Sequence, residues 1–261
     1  MRILVLFSAL IWAAPLWAAD IVFLGEQHDN PDHHARQAQR VAALAPRAVV
    51  WEMLTPEQAD RVTPELRVDP VALEAALGWA EAGWPDFTWY YPIFQAAPEA
   101  QIVGAAVPRE AARSAMADVA GTFGAEAAIY GLDAPLPEAQ QADRLALQRA
   151  AHCGALPEEM LPMMVDVQRL RDATLARAAL TALRQTGGPV AVITGNGHAR
   201  TDWGAPAALR LAAPDVSVVA LGQGETGPAG NAAPEGTFDE IAYSPEAPRD
   251  DPCAAFAKPD D

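Results

Sequence analysis

Residues 21–28 read IVFLGEQH and residues 190–198 read VAVITGNGH. Each stretch is a short apolar run followed by a glycine and then by a histidine, His28 in the first and His198 in the second. Apolar runs of this length, bounded by glycine, are typical of buried strands in a parallel sheet. Because ligands bind beyond the carboxyl ends of such strands in open α/β sheets, we expect both histidines at one edge of the same sheet.

A third apolar run, residues 48–51, is followed directly by Glu52, and Glu26 lies just before His28 in the first run. With all three strands in one sheet, Glu26, His28, Glu52 and His198 are expected to line one crevice. Histidine acts as a base or ligand near neutral pH, and glutamate can bind a metal or activate water. These four residues are therefore predicted to form a catalytic or metal-binding group. The alternative is a polar network that only satisfies the strand ends.

The rest of the chain alternates helical and extended patterns. Helices are predicted over residues 32–44, 56–62, 70–78, 157–184 and 204–211 and from residue 108 onwards, and further strands over 101–105, 216–221 and 238–243. Segment 79–94 is expected to be an aromatic-rich connection, and the Gly-, Ala- and Pro-rich segment 222–235 a flexible loop. The alternation predicts an α/β fold, a mainly parallel β-sheet flanked by helices, formed as a single domain by residues 19–261.

The composition is strongly acidic, with 34 Asp and Glu residues against 18 Lys and Arg residues and a formal net charge of −16. Affinity for nucleic acid depends on Lys and Arg side chains at phosphates. No nucleic-acid partner is therefore expected.

Residues 1–18 have the pattern of a cleavable signal peptide. Arg2 precedes an apolar run over residues 3–12, and small residues follow over 15–19. We therefore expect a periplasmic or secreted protein. No cysteine lies at the expected cleavage point, so no lipid anchor is expected, and no other segment approaches the ~20 apolar residues of a membrane span.

The chain has two cysteines, Cys153 and Cys253. In an oxidising compartment such a pair is expected to form a disulfide, which would close a loop of roughly 100 residues. Two buried thiols, or a metal ligand at His152 and Cys153, are the alternatives.

The aromatic segment 79–94 has two interpretations. It provides a stacking wall for a flat apolar ligand, or it covers the core or a dimer contact. Tyr90 and Tyr91 are candidate ligands within it, because a phenolate can hold ferric haem iron. The adjacent His33 and His34 fall on a predicted helix and are expected to face solvent, with a ligand role as the alternative.

A series of motifs along the chain resembles the ChaN family of haem-binding proteins. In order, they are GEQHDNP (25–31), VVWEM (49–53), GWPD (83–86), YYPIF (90–94), HCGALP (152–157), QRLRDA (168–173) and GNGHAR (195–200). The resemblance implies an α/β fold of the Tiki and erythromycin-esterase-like superfamily and a role in bacterial haem or iron uptake. It also implies haem held at a homodimer interface by a tyrosine, for which Tyr90 or Tyr91 is the candidate. His28 and His198 match positions that form a metal or catalytic site in protease and esterase relatives.

Two functions follow as hypotheses. In the first, which we favour, the protein binds haem and stores it or passes it to a receptor or transporter, with Arg200 or a histidine holding the propionates. In the second, the protein is a hydrolase that uses the crevice, with or without a divalent metal, to activate water against an ester or amide. The sequence has no Gly-x-Ser-x-Gly motif and no His-Glu-x-x-His motif, which argues against a serine nucleophile and a zincin.

Overall fold

The computed structural model describes residues 19–254, and the predicted signal peptide lies outside them. The strands are β1 (Ile21–Glu26), β2 (Ala48–Trp51), β3 (Gln101–Gly104), β4 (Val190–Gly195), β5 (Val218–Gly227), β6 (Gly230–Ala232) and β7 (Glu240–Pro245). They form one sheet in the order β3-β2-β4-β1-β5-β6, with β7 paired to β5. All pairings are parallel except the antiparallel pairing of β5 with β6. The mainly parallel sheet of the predicted α/β fold is therefore confirmed.

Helices cover both faces of this sheet. They are α1 (Pro31–Leu44), α2 (Pro56–Ala59), α3 (Pro64–Arg67), α4 (Pro70–Leu77), α5 (Trp79–Ala82), α6 (Phe87–Ala96), α7 (Arg109–Ala115), α8 (Val119–Phe123), α9 (Glu138–Ala151), α10 (Leu161–Thr186), α11 (Asn196–Ala199) and α12 (Ala205–Ala212). Because side chains alternate along a strand, Phe23 packs in the core beneath α10 and α12, whereas Leu24 packs in the core beneath α1 and α6. The two cores hold the strand ends in fixed positions.

Local signals explain where several helices begin and end. The side chain of Asn30 accepts a hydrogen bond from Asp32 N at the start of α1, and Asp69 caps α4 through the backbone nitrogens of Val71 and Ala72. Proline lies in the first turn of both helices, where its missing N–H costs no hydrogen bond. Gly187, with φ 77°, ends α10 in the left-handed conformation that favours glycine.

Three expectations from the sequence are wrong. Segment 79–94 is not a connection, because it contains α5 and most of α6. Segment 222–235 is not a flexible loop, because β5 continues to Gly227 and β6 follows it. His33 and His34 do not face solvent, because both are fully buried on the inner face of α1. Helix α9 was not predicted at all.

The disulfide between Cys153 and Cys253 is present and joins residues 100 positions apart. It ties the segment that follows β7 to the turn between α9 and α10. Within residues 19–254, no helix combines the length and hydrophobicity needed to cross a membrane.

Candidate functional site

A cavity of about 500 Å³ lies beyond the carboxyl ends of β1, β2 and β4. Glu26 is the last residue of β1, Glu52 directly follows β2, and His198 lies on α11 immediately after β4. These three side chains and His28 all line the cavity. The structure thus brings together the four residues that the sequence placed at one edge of the sheet.

Glu26 and His28 form a tight pair. The His28 Nδ1 atom donates to Glu26 Oε1 at 2.7 Å, and the hydroxyl of Tyr90 donates to the same oxygen at 2.8 Å. Burial raises the pKa of Glu26, but its bonds with His28 and His34 outweigh burial and lower that pKa to about 2. Burial lowers the pKa of His28, and Glu26 more than reverses this, raising it to about 9. The pair is therefore a carboxylate and an imidazolium at neutral pH.

The two buried histidines of α1 hold this pair in place. The ring of His34 lies with Nδ1 3.3 Å from Glu26 Oε2, and its Nε2 donates to the backbone carbonyl of His28 at 2.9 Å. The Nδ1 atom of His33 accepts from Gln27 N at 2.9 Å, while its Nε2 donates to the carbonyl of Gly224. Both rings therefore fix the turn that carries His28.

A second charged group is formed by Glu52 after β2, His198 on α11 and Asp172 on α10. The Nδ1 atom of His198 donates to Asp172 Oδ1 at 2.7 Å, and its Nε2 lies 3.6 Å from Glu52 Oε1. The other oxygen of Glu52 accepts from the hydroxyl of Thr194 at 2.6 Å and from the backbone nitrogen of Gly195 at 2.8 Å. An imidazole oriented by one carboxylate and facing another is a geometry suited to proton transfer.

The ionisation of this group follows from burial and charge. Burial raises the pKa of Glu52, but His198 and His28 outweigh it and hold that pKa below its ordinary value. Burial lowers the pKa of His198, and Glu52 and Asp172 raise it above its ordinary value. The pKa of Asp172 is raised, because burial outweighs the attraction of His198 and Arg144.

Sequence reasoning missed Asp172 as a site residue. A signal was available, because Asp172 is a charged side chain within the buried face of α10, next to Ala173 and near Leu170 and Leu175. A buried carboxylate requires a partner. The sequence alone does not say which one, since His198 is 26 residues away.

The predicted cofactor-binding residues lie outside the cavity lining. Tyr90 is fully buried with its hydroxyl on Glu26. Tyr91 is half-buried, and its hydroxyl donates to the carbonyl of Arg67 at 2.9 Å. Arg200 is buried, donates twice to the carboxylate of Asp202 at 2.7 Å and stacks on Trp203 at 3.6 Å.

The arrangement of side chains does not support the divalent metal considered from the sequence. In the part of the chain that the structure describes, no group of three or more His, Cys, Asp or Glu side chains is placed to hold a metal ion. The proposed ligand pair His152 and Cys153 is also lost, because Cys153 is in the disulfide.

The fold and the cavity define a class: an α/β protein with carboxylate–imidazole pairs at the carboxyl ends of its parallel strands. Residues 12–209 match the family described as "Haem-binding uptake, Tiki superfamily, ChaN". The chain belongs to this family. No curated protein matches the sequence.

Among solved structures, ChaN of Campylobacter jejuni, described as showing cofacial haem binding, is 20% identical. The match covers 80% of this chain and 82% of that chain with a TM-score of 0.63, which supports the fold. The type III effector HopBA1 is 13% identical over 87% of this chain and 88% of its own, with a TM-score of 0.44. A protein from Bacillus cereus is 13% identical, and the match covers 83% of this chain and 72% of that protein, with a TM-score of 0.35.

Proposed function

We propose that this protein is an exported haem-binding protein that acts in haem or iron uptake or trafficking. The observation that carries the proposal is membership of the haem-binding uptake family over residues 12–209. Export is supported by the signal-peptide pattern of residues 1–18. A receptor or transporter would take the haem from this protein.

Tyr91 is the better of the two candidate tyrosine ligands. The hydroxyl of Tyr90 is committed to Glu26 in a fully buried position. The hydroxyl of Tyr91, by contrast, belongs to a half-buried side chain. It donates to the carbonyl of Arg67 and accepts from the side-chain amide of Gln95, which is an exposed contact. Next to Arg67, Val68 is 77% exposed, and Val71 on the following helix is 76% exposed. A phenolate beside exposed apolar side chains suits the iron and the flat face of haem.

The same surface supports a homodimer. A contiguous apolar patch on a monomer often marks an interaction site, and Val68 and Val71, three residues apart in sequence, would form part of one. Two copies meeting at Val68 and Val71 would enclose haem between two apolar faces, each with its own Tyr91. We include this symmetric arrangement in the proposal.

Titration of the mature protein with haemin tests the proposal. Saturable Soret and charge-transfer bands typical of a tyrosinate-bound ferric iron are expected, together with a shift to dimer on size-exclusion chromatography. Tyr91→Phe is expected to weaken binding at least tenfold. Tyr243→Phe, a half-buried tyrosine on β7, is the matched control and is expected to bind like the wild type. The absence of saturable binding would overturn the proposal.

The cavity favours hydrolysis as a second candidate function. Glu52 is ionised and would accept a proton from water as the water oxygen attacks the carbonyl carbon of an ester or amide. The imidazolium of His198, held by Asp172 at 2.7 Å, would donate a proton to the leaving oxygen or nitrogen as its bond to that carbon breaks. Hydrolysis of ester and amide substrates that is lost in His198→Gln would support this function. Equal rates in both proteins would exclude it.

A further inference from the structure

We propose that the cavity contains a carboxylate-binding subsite, in which Arg171 recognises an organic acid whose apolar part lies against Trp84 and Leu175. This assigns a ligand class to a cavity whose lining contains none of the predicted haem-binding residues. Binding of the acid does not depend on the proposed function. Only its use as a hydrolysis substrate rests on the second candidate.

One face of α10 supplies the subsite. Gln168, Arg171 and Leu175 all line the cavity and are spaced by three and four residues, so they lie above one another on the helix. Asp172, on the same side, reaches His198. The helix thus presents a guanidinium and an amide to the space in front of the strand ends.

The other buried and half-buried arginines of residues 19–254 all have hydrogen-bond or ion-pair partners, and Arg171 has none. Arg169 bonds to Asp166 and to the carbonyl of Gly131, and Arg144 bonds to the carbonyl of Trp203. Within residues 19–254, Arg171 forms no hydrogen bond or ion pair, although it is half-buried in the cavity wall. A partly desolvated guanidinium is stabilised by a carboxylate, which it binds through two parallel hydrogen bonds.

The other charges of the cavity are already matched. Glu26 is paired with His28 at 2.7 Å. Asp172 is paired with His198 at 2.7 Å, and Glu52 lies 3.6 Å from the opposite side of the same ring. The guanidinium of Arg144 lies 3.9 Å from Asp172. Arg171 is the remaining positive group in the lining, in a protein whose formal net charge is −16.

The remaining walls are suited to an apolar group. Trp84 lies against His28 with its ring centroid 5.2 Å away, and Val107 and Leu175 lie on the lining of the same cavity. The volume of about 500 Å³ is within the range of small-molecule sites. An apolar wall with one cation favours an organic carboxylate over an inorganic anion.

Isothermal titration calorimetry with the full mature protein tests the subsite. The probes are phenylacetate, its neutral isostere phenylacetamide, and inorganic phosphate. Wild type is expected to bind phenylacetate saturably and at least tenfold more tightly than phenylacetamide or phosphate. Equal affinity for phenylacetate and phenylacetamide, no binding of phenylacetate, or tighter binding of phosphate would each overturn the proposal.

Arg171→Gln is the decisive variant, and Arg184→Gln, an exposed arginine on the same helix outside the cavity lining, is its control. Phenylacetate affinity is expected to fall at least tenfold in the first and to be unchanged in the second. An unchanged affinity in Arg171→Gln contradicts the proposal. If this variant does not fold, the comparison of phenylacetate with phenylacetamide in the wild type still tests the proposal. Neither readout depends on haem or on hydrolysis, so failure here is distinguishable from failure of the proposed function.

Discussion

Glu26 is the residue on which most of the site depends. Its carboxylate is fully buried and contacts His28, Tyr90 and His34. A buried carboxylate is tolerated only when partners replace its lost hydration. Here the partners come from the turn after β1, from α6 and from α1. One side chain therefore links the cavity to the packing of two helices.

Glu26→Gln is expected to destabilise the protein by about 3 kcal/mol, because it removes the buried carboxylate that pairs with the His28 imidazolium. Chemical denaturation at pH 7 measures the free energy of unfolding. Glu235→Gln, an exposed glutamate in the loop before β7, is the control and is expected to change it by less than about 0.5 kcal/mol. Equal effects in the two variants would show that the buried pair does not contribute as described.

The charge on His28 makes stability depend on pH. Its pKa is raised from 6.5 to about 9 in the folded protein. A group whose pKa is raised by folding contributes stability fully below its unfolded value and loses that contribution as pH rises through the folded value. The free energy of unfolding of the wild type is therefore expected to fall between pH 6.5 and pH 9. Denaturation curves across this range are expected to show a smaller fall for His28→Gln, and parallel curves would contradict the assignment.

At the level of elements, the end of β3 packs directly on the segment before α2. A Cβ atom at Gly104 would lie 2.2 Å from the carbonyl oxygen of Thr55, which belongs to the backbone and cannot move aside cheaply. Thr55 also caps α2 through Gln58. The glycine therefore sets the distance between the edge strand and this helix.

Gly104→Ala is expected to cost about 2 kcal/mol of stability through overpacking. Gly197→Ala on α11 is the matched control, because its Cβ atom would meet nothing within 4 Å, and its effect is expected to stay within about 0.5 kcal/mol. Thermal unfolding of both variants measures the difference. A neutral Gly104→Ala would mean that β3 and α2 separate easily.

Whether a helix or strand could be predicted from the sequence depends on whether its buried residues are apolar. Strands β1, β2 and β4 are continuous apolar runs, and their positions were predicted from the sequence alone. Helix α9 was missed because its buried positions are Arg144 and Gln148, which leave no apolar periodicity. Helix α6 was read as a connection because its aromatic side chains and internal Pro92 are poor helix signals.

At the level of the whole molecule, the disulfide joins the end of the described chain to its middle. It constrains a loop of 100 residues, for which the chain-entropy estimate is about 4.7 kcal/mol. The double variant Cys153→Ser, Cys253→Ser is expected to lose about 4 kcal/mol. Denaturation with and without reductant measures the loss. Reductant should lower the stability of the wild type to that of the variant and leave the variant unchanged, and any other pattern contradicts this role.

The site itself was predictable only in part. Glu26 ends β1, and His28, Glu52 and His198 lie just after strand ends, so parallel pairing is enough to bring them to one edge. Arg171 lines the cavity from α10 and Asp172 of the same helix bonds to His198. The positions of both depend on how that helix packs across the sheet. Local sequence patterns carry no signal for such packing, so the cavity wall opposite the strands became visible only in three dimensions.

The place of β1 in the sheet has a consequence for how the protein is made. β1 pairs with β4 on one side and β5 on the other, and Asp20 at its start bonds to Ser217, 197 residues later. At roughly 5–20 residues per second on the ribosome, this apolar strand waits on the order of ten seconds or longer for its neighbours. During that time its apolar side chains and unpaired backbone groups are open to association with other chains. It is therefore the stretch of the nascent chain that a holding chaperone would be expected to cover.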